Sequence, residues 1–586
     1  MTDIQSLVTD NIDVWTTAIK QRTGVGRGSS KKIELTGIKK LRELILELAV
    51  RGKLVPQDPT DEPASVLLEK IAAEKALLVK DEKLKTKASE HISKDDLYLK
   101  TPDVWGSCRL GNLARFIDYR GKTPTKLSSG IRLITAKNVK FGYISKQPEE
   151  FISAEEYTSW MTRGFPKIGD VLFTPEAPLG NVAVIDLEEK FALAQRAICF
   201  QFHESQISKF IMFVIMSPVF QDQLLKNATG TTAKGIKASK LKEIIVPIPP
   251  LKEQFQIVRR VDELMILCDQ LEQKTEGHIT AHQTLVEVLL GTLTSCKNND
   301  EFQQNWARIA EHFDALFTTT QSIELLKQTI LQLAVIGKLV PQDPNDEPAA
   351  VLLKKIADEK VQLIKDKKIK KQKALPAITE DEKPFYLPQN WEWVRLGSIY
   401  RFLNGYAFKS EWFESEGVKV LRNINIAHGT TKWNDTAFVS KEKVDEFARF
   451  ELEEGDIVIS LDRPIINTGL KYAIIQSADL PCLLLQRVAK FHSYGDVIVP
   501  IFLSRWLESD LFMSAIDPGR SNGVPHISTK QLEMMLFPLL SQNEQHRIVA
   551  KVDELLTICD QLKSQISSAQ ITQLNLADAI VGQAVS

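Results

Sequence analysis

Residues 48–59 read Leu-Ala-Val-Arg-Gly-Lys-Leu-Val-Pro-Gln-Asp-Pro, and residues 333–344 read Leu-Ala-Val-Ile-Gly-Lys-Leu-Val-Pro-Gln-Asp-Pro. The repeat extends beyond this stretch, because Val-Asp-Glu-Leu at 261–264 recurs at 552–555. An interval of roughly 290 residues is far longer than a solenoid period, and it indicates one structural unit of about 250 residues made twice. Two equal units in one chain favour packing about a pseudo-two-fold axis, as the subunits of a dimer would pack.

The composition is that of an ordinary soluble protein, since 43% of the 586 residues are hydrophobic, 25% are charged and the formal net charge is −1. The N-terminus lacks a signal-peptide pattern, and the most apolar run, 210–216, is too short to cross a bilayer. Six widely spaced cysteines indicate reduced thiols and a cytoplasmic location. The nine histidines show no metal-ligand spacing, so we expect no metal site.

Each repeated unit is predicted to contain a helical segment, a globular domain and a long helix. Apolar residues at helical spacing over 41–48 predict a helix that Gly52 ends. Runs such as 130–135 and 455–460, rich in β-branched residues and bounded by glycine, predict strands among helices. We therefore predict an α+β fold with these parts: an N-terminal extension and linker (1–37), a helical region (38–104), a first globular domain (105–248), a central helical region (249–390), a second globular domain (391–538) and a C-terminal helix (539–586).

The two predicted long helices, 251–290 and 541–580, carry apolar residues at alternating intervals of four and three. That period is typical of a coiled-coil seam, and its presence in both copies favours helices that meet each other. The alternative is an ordinary amphipathic helix that faces its own domain. The predicted interface residues are Ile257, Val261, Leu264, Leu271, Ile548, Val552, Leu555 and Leu562.

A search for catalytic motifs finds none. The chain lacks a phosphate-binding Gly-x-x-x-x-Gly-Lys-Ser/Thr loop, a Gly-x-Gly-x-x-Gly after a strand, and the Asn/Asp-Pro-Pro-Tyr/Phe motif of amino-methyltransferases. Asp170 with Glu188 and Lys190 matches a nuclease-like pattern, but surface charges on a turn explain it equally, and the second copy does not reproduce it. The sequence therefore predicts a binding protein without catalytic residues of its own.

Positive charge is concentrated in two segments of the first globular domain. Residues 105–145 hold eight basic residues and one acid, and 224–242 hold five lysines and no acid. Such separation suits a protein that binds a polyanion, although solvated loops would show it too. Gly-containing basic turns at matching places in the second copy favour DNA contact. The candidate DNA-binding residues are Arg120, Lys122, Thr123, Lys137, Asn138, Lys234, Lys237, Tyr406, Lys409, Arg422, Asn425 and Arg520.

The order helix, variable domain, helix, made twice, resembles that of the DNA specificity subunits of type I restriction-modification systems. Trp-x-x-x-Arg-Leu-Gly opens each variable domain, at 105–111 and 391–397, and Glu-Gln begins the motif of each long helix, at 253–254 and 544–545. The resemblance covers nearly the whole chain. The block at 48–59 and the N-terminal extension resemble the longer-chain subgroup, type IB.

The resemblance implies that each globular domain is a target recognition domain reading one half of a split, asymmetric DNA sequence. It also implies that the shared helices form an antiparallel coiled coil and dock two modification (methyltransferase) subunits. These partners would bind S-adenosylmethionine and methylate adenine, and restriction (motor-nuclease) subunits would use ATP and Mg²⁺. In such a complex this chain is a non-catalytic subunit that holds no cofactor and meets no membrane.

Two other classes of function remain open at this point. The chain would be a complete enzyme if a nuclease or methyltransferase were fused within it, and the absent cofactor motifs speak against this. It would be a protein-interaction scaffold if the coiled coil were its only functional part, and the paired basic loops speak against that.

Overall fold

The computed structural model describes residues 4–22, 32–81, 92–119, 124–194, 196–231, 234–371, 373–466, 468–516 and 526–586. The chain divides into two compact units. Unit 1 comprises Met1–His278 with Ser568–Ser586, and unit 2 comprises Ile279–Ser567. In the described part of the chain, no helix combines the length and apolarity needed to cross a membrane.

Unit 1 begins with two short helices and a two-stranded sheet that lead to helix α3. Its first elements are α1 (Ile4–Thr9), α2 (Ile12–Thr17), β1 (Lys20–Arg22), β2 (Lys32–Glu34), α3 (Thr36–Val50) and α4 (Ala64–Asp81). The start of α3 packs so closely on α2 that a Cβ on Gly37 would lie 2.4 Å from the carbonyl oxygen of the buried Trp15. Gly52 follows the end of α3 with a φ of +67°, a conformation that favours glycine.

The described part of the first globular domain contains two small sheets, a separate pair formed by its first and last strands, and several helices. Its strands are β3 (Gly106–Arg109), β4 (Ala114–Asp118), β5 (Ile131–Ile134), β6 (Phe151–Ile152), β7 (Val171–Phe173), β8 (Val182–Val184), β9 (Phe191–Leu193), β10 (Ile198–Phe202) and β11 (Ile245–Ile248). Its helices are α5 (Leu110–Leu113), α6 (Ala154–Trp160), α7 (Ser208–Met216), α8 (Pro218–Asn227) and α9 (Ala238–Glu243). One sheet is antiparallel in the order β4-β10-β7-β8, and the other has the order β6-β5-β9, with β5 and β9 parallel.

Unit 2 holds the helices that follow the first long helix and the whole second globular domain. The helices outside that domain are α10 (Leu251–Ser295), which starts in unit 1, α11 (Asn299–Glu311), α12 (Phe313–Leu316), α13 (Thr320–Val335), α14 (Ala349–Lys365) and α19 (Gln542–Val585), which ends in unit 1. Those inside it are α15 (Leu396–Ile399), α16 (Pro500–Leu507), α17 (Asp510–Met513) and α18 (Thr529–Met534).

The second globular domain has the same core arrangement with more strands. They are β12 (Glu392–Arg395), β13 (Tyr400–Asn404), β14 (Val418–Leu421), β15 (His428–Gly429), β16 (Ala437–Val439), β17 (Ile457–Ser460), β18 (Ile465–Ile466), β19 (Gly469–Leu470), β20 (Tyr472–Ile474), β21 (Cys482–Leu484), β22 (Val488–Ser493) and β23 (Leu536–Leu539). The sheet β13-β22-β17-β20-β15 corresponds to the larger sheet of the first domain. The sheet β16-β14-β21 corresponds to the smaller one and keeps its parallel pair.

Each globular domain is entered and left through one antiparallel strand pair. In the first domain β3 pairs with β11, and in the second β12 pairs with β23. Because entry and exit lie side by side, each domain is a module inserted into the helical part of its unit. This confirms the predicted α+β architecture of two globular domains joined by long helices.

A buried glutamate at the start of each long helix joins three segments. Glu253 accepts hydrogen bonds from Trp105 Nε1 (2.9 Å) and Gln57 Nε2 (2.6 Å). The second copy repeats the arrangement with Glu544, which accepts from Trp391 Nε1 (2.9 Å) and Gln342 Nε2 (2.5 Å). Burial raises the pKa of both carboxyl groups, while the donated hydrogen bonds oppose the shift.

The contacts of α3 show how the helices run in unit 1. Arg42 lies 2.7 Å from Asp269 of α10, whereas Asp58, beyond the end of α3, lies 3.2 Å from Lys252 at the start of α10. Moving forward along α3 therefore means moving backward along α10. These two helices are antiparallel.

The end of α19 runs the other way beside α3. Lys40 is paired with Asp578, and Lys53 Nζ donates to the carbonyl oxygen of Val585 at 3.0 Å. Since α19 is parallel to α3 and α10 is antiparallel to it, the start of α10 and the end of α19 are antiparallel within unit 1. This agrees with the predicted direction of the two long helices.

The heptad residues lie on the inner side of the helices, but they do not pack on the other long helix alone. In unit 2, residues of α19, α13 and the last turns of α10 share one core with helix α16 of the globular domain. The seam is therefore also covered by the shorter helices of its own unit. Ile257, Val261, Leu264, Ile548 and Val552 are buried, and Leu271, Leu555 and Leu562 are half-buried.

Candidate nucleic-acid interface

The loops of the first globular domain converge at one edge of its smaller sheet. Strands β5 and β9 are parallel, so the residues described after them, 135–138 in one case and 194 with 196–197 in the other, lie at the same edge. The backbone N–H of Ala194 donates to the carbonyl oxygen of Ile134 at 2.8 Å and holds the two segments together. We call this region the loop edge of the first domain.

Two further loops join the loop edge. The loop between β7 and β8, 174–181, meets the segment 228–237 through the hydrogen bond from Ile236 N to Pro175 O (2.9 Å). Within 228–237, Thr229 and Gly235 exchange backbone hydrogen bonds of 2.8 and 2.9 Å. Lys234 precedes Gly235 and Lys237 follows Ile236, and both lysine side chains are exposed.

The second globular domain builds a loop edge in the same way. Segments 422–425 and 485–487 follow the parallel strands β14 and β21, and the backbone N–H of Leu485 donates to Leu421 O at 3.1 Å. The backbone hydrogen bond from Ile527 N–H to Leu461 O (3.1 Å) is the equivalent, in this domain, of the bond from Ile236 to Pro175 in the first domain. The framework of the loop edge is therefore common to both domains.

Asn138 and Asn425 occupy equivalent places in this framework and are each 1% exposed. The side-chain amide of Asn138 donates to Ser145 O (3.0 Å) and Pro148 O (3.1 Å), and that of Asn425 donates to the backbone carbonyls of Lys432 (3.0 Å) and Asp435 (2.7 Å). Their amide groups are thus used within the loops. Both residues shape the loops, and direct DNA contact by them stays a prediction.

Three other predicted residues of the second domain are placed by contacts with their neighbours. Tyr406 is half-buried in an aromatic cluster with Phe447 at 4.8 Å between ring centroids. Lys409 is exposed, and its ammonium group lies 5.7 Å from the ring of Trp412. Arg422 is largely covered and pairs with Asp435 at 2.8 Å.

The remaining predicted residues fall into two groups. Lys137 is exposed beside the buried Asn138, so it lies on the loop edge with Lys234 and Lys237. Direct DNA contact by these lysines stays a prediction. Four predicted residues lie outside the described part of the chain: Arg120, Lys122, Thr123 and Arg520.

Two arginines that we did not predict as contacts also lie on the loop edges. Arg196 pairs with Glu176 at 3.1 Å, and Arg487 pairs with Asp462 at 3.1 Å. Both have positive φ, +66° and +67°. The available signal was the dipeptide Gln-Arg, which occurs at 195–196 and again at 486–487 between stretches where the two copies differ.

The structure places the aspartate of the nuclease-like pattern in a turn. No group of three or more His, Cys, Asp and Glu residues that could hold a metal occurs among the described residues. Asp170, from the nuclease-like pattern, accepts from the backbone N–H of Lys167 and from Gln201 Nε2, each at 2.8 Å. Burial raises its pKa. Asp456 bonds the backbone of its own turn in the same way in the second domain, so Asp170 has a structural role.

Comparison with known proteins identifies relatives of this chain. A family model described as the type I restriction modification DNA specificity domain matches residues 105–281 and 388–573. The chain is 50% identical to the EcoAI type I restriction enzyme specificity subunit of Escherichia coli and 37% identical to the EcoEI one, each over the whole of both chains. A crystal structure of the HsdS subunit from Thermoanaerobacter tengcongensis is 18% identical, with a TM-score of 0.40 over 83% of this chain and 98% of that one.

Proposed function

The chain belongs to the family of type I restriction-modification DNA specificity subunits, and from this premise we propose that it reads a bipartite, asymmetric DNA target. Each globular domain reads one half of the target through its loop edge. The chain performs no chemistry itself and supplies the sequence specificity of a larger complex.

One observation carries this proposal: the two domains share the framework of the loop edge and differ in the side chains that it exposes. Asn138 and Asn425 make the same loop bonds, yet the preceding residues are Lys137 and Ile424, both exposed. A common framework supports the same mode of docking in both domains. Different exposed side chains support different base contacts, which is what an asymmetric target requires.

Lysines on the loop edge supply affinity that depends on salt, because binding to phosphates releases counterions from DNA. The side chains of Lys137, Lys234 and Lys237 are exposed. The bases are then distinguished by fewer side chains with fixed geometry. Affinity and specificity are therefore expected to depend on different residues.

The partners follow from the same family membership. We propose that the helical parts of the two units dock two methyltransferase subunits, which bind S-adenosylmethionine and methylate adenine. Motor-nuclease subunits that use ATP and Mg²⁺ complete the complex in the cytoplasm. Because the target adenine is stacked inside the duplex, the methyltransferase must flip it out of the helix.

The test is a map of adenine methylation across the host genome, with and without this gene. Loss of methylation at one split, asymmetric motif is the expected result. Unchanged methylation, together with failure of the chain to copurify with a methyltransferase, would refute the proposal. If the chain copurifies but methylation is unchanged, binding of the purified complex to a randomised duplex library decides, and an absence of bipartite preference there refutes it.

A further inference from the structure

Arg196 and Arg487 occupy the same place on the two loop edges. Each follows the end of the second parallel strand, β9 or β21, and each has a left-handed backbone, with φ of +66° and +67°. Each pairs with a carboxylate from the neighbouring loop, Glu176 or Asp462. The arrangement is therefore repeated although the loops around it differ in sequence.

Stability does not explain this arrangement. A side chain in the left-handed region is strained, and glycine would adopt the same backbone without strain. The guanidinium groups are well exposed, with 59% and 69% of the side-chain surface accessible, so their ion pairs contribute little. Strain retained at an exposed position points to a role in binding.

The adjoining loops carry a second pair of strained residues. Ala177 and Arg463, directly after Glu176 and Asp462, have φ of +46° and +51°. The carboxylate that holds each arginine is thus presented by a strained turn. The backbone therefore places both partners of the ion pair, and the ion pair gives the guanidinium group a preferred direction.

We propose that Arg196 and Arg487 are equivalent base-reading residues, each of which makes a bidentate contact with the O6 and N7 atoms of a guanine. This inference rests on the proposed function. In Arg196 the atom nearest the carboxylate is Nε, and in Arg487 it is one terminal nitrogen, Nη1. A guanidinium group has three nitrogens, so an arginine held through one of them can still offer two donors to the two acceptors of guanine in the major groove.

The paired carboxylate favours a base over a phosphate as the target. Glu176 or Asp462 would repel a phosphate bound to the same guanidinium group, whereas a base edge carries no net charge. A phosphate contact also tolerates a flexible side chain, whereas bidentate recognition of a base needs a guanidinium group held in one orientation. Because the same residue occupies the same place in both domains, we expect a G·C pair at equivalent positions of the two half-sites.

The experiment uses the full chain copurified with its methyltransferase subunits and a randomised bipartite duplex library. The wild-type complex is expected to select a split motif with a G·C pair in each half. Arg196→Lys keeps the positive charge but removes the paired donors of the guanidinium group. Preference for the G·C pair that Arg196 reads should therefore fall by about 5- to 150-fold, with the other half-site unchanged. Arg487→Lys should do the same in the other half-site.

The matched control is Arg132→Lys. Arg132 lies at the opposite end of the same parallel strand pair and is also held by carboxylates, Glu189 at 2.7 Å and Glu149 at 3.3 Å. Its replacement should leave the selected motif unchanged. Arg196→Gly separates folding from recognition, because it should lose the same base preference while melting at no lower temperature than the wild type.

The outcomes separate this inference from the proposed function. The inference is overturned if the selected split motif has no G·C pair in either half, or if Arg196→Lys leaves the motif unchanged. The proposed function stands in both cases. A uniform loss of affinity for all sequences with Arg196→Lys identifies a phosphate contact and overturns the inference as well. Selection of no split motif by the wild-type complex would refute both.

Discussion

Among single residues, the buried glutamates Glu253 and Glu544 make a prediction about pH. Burial raises the pKa of each in the folded protein above the ordinary value of 4.5. A raised folded-state pKa means that the stability contributed by the group is present below pH 4.5 and is lost as pH rises through the folded pKa. The unfolding free energy of Glu253→Gln, measured relative to that of the wild type, should therefore increase as pH rises from 4.5 through the folded-state pKa of Glu253. Denaturant unfolding across pH measures this difference.

Glu263, on the same helix, is the matched control for this pH dependence. Arg259 and Arg260 lower its pKa through hydrogen bonds, so its favourable contribution is present above pH 4.5 and is lost as pH falls. Glu263→Gln should therefore lose stability relative to the wild type as pH rises, the opposite trend. Parallel trends for the two variants would contradict the assignment of burial as the cause at Glu253.

Neighbouring residues on the loop edge should separate stability from DNA affinity. Asn138→Ala removes two donated hydrogen bonds from a buried site, and we expect a loss of about 1–3 kcal/mol of unfolding free energy. Lys137→Ala removes an exposed charge and should leave unfolding unchanged while weakening binding to all DNA sequences. Denaturant unfolding and salt-dependent DNA binding measure the two effects. Wild-type stability of Asn138→Ala would contradict a loop-shaping role.

These neighbours also show how far the sequence determines the site. Residue type and local charge identified the segments that form the loop edge, since Lys137 and Asn138 both lie within it. They did not distinguish the exposed lysine from the buried asparagine, because burial depends on carbonyl groups seven and ten residues away. The arginine at 196 was overlooked because positive φ leaves no trace in residue composition.

Among the elements, the long helices were the most predictable and their partners the least. The predicted span 251–290 becomes Leu251–Ser295, and 541–580 becomes Gln542–Val585. Heptad spacing predicts that an apolar seam is covered by another helix, but it does not predict which helix that is. In unit 2 the helices that cover the seam include α13 and α16.

Charges on the helices supply the pairing information that apolar spacing lacks. In unit 2, Glu324 of α13 lies 2.6 Å from Lys563 of α19. The equivalent positions in the first copy are Lys39 and Glu272, with the signs exchanged. Pairing of α13 with the wrong long helix would therefore place like charges together, so the exchange opposes mispairing.

A charge-reversal cycle tests this contribution. Glu324→Lys and Lys563→Glu should each lower the unfolding free energy by about 0.5 kcal/mol, because the pair is half-exposed and each change creates like charges. The double variant restores opposite charges and should recover most of the loss. Denaturant unfolding at low salt gives the coupling energy, and additive losses in the double variant would show that the two side chains do not interact.

For the whole molecule, the inserted position of each globular domain makes an exchange prediction. The domain formed by residues 105–248 is entered through β3 and left through β11. These strands pair along their length, with Ile245 opposite Arg109 and Ile248 opposite Gly106. A domain from another specificity subunit with the same strand pair should therefore fit without rebuilding the helices. Trp105 must be retained, because its indole donates to Glu253 at the start of the long helix.

Exchange of residues 105–248 for the corresponding domain of a relative should change one half of the target and leave the other half intact. The physical reason is that the second domain keeps its own β12–β23 pair and its own hydrogen bond from Trp391 to the buried Glu544. Methylation mapping of cells that carry the chimera reads both halves at once. Exchange of 391–538 is the reciprocal control and should alter only the other half. A change in both halves with either chimera would show that the two loop edges are coupled and that recognition is not modular.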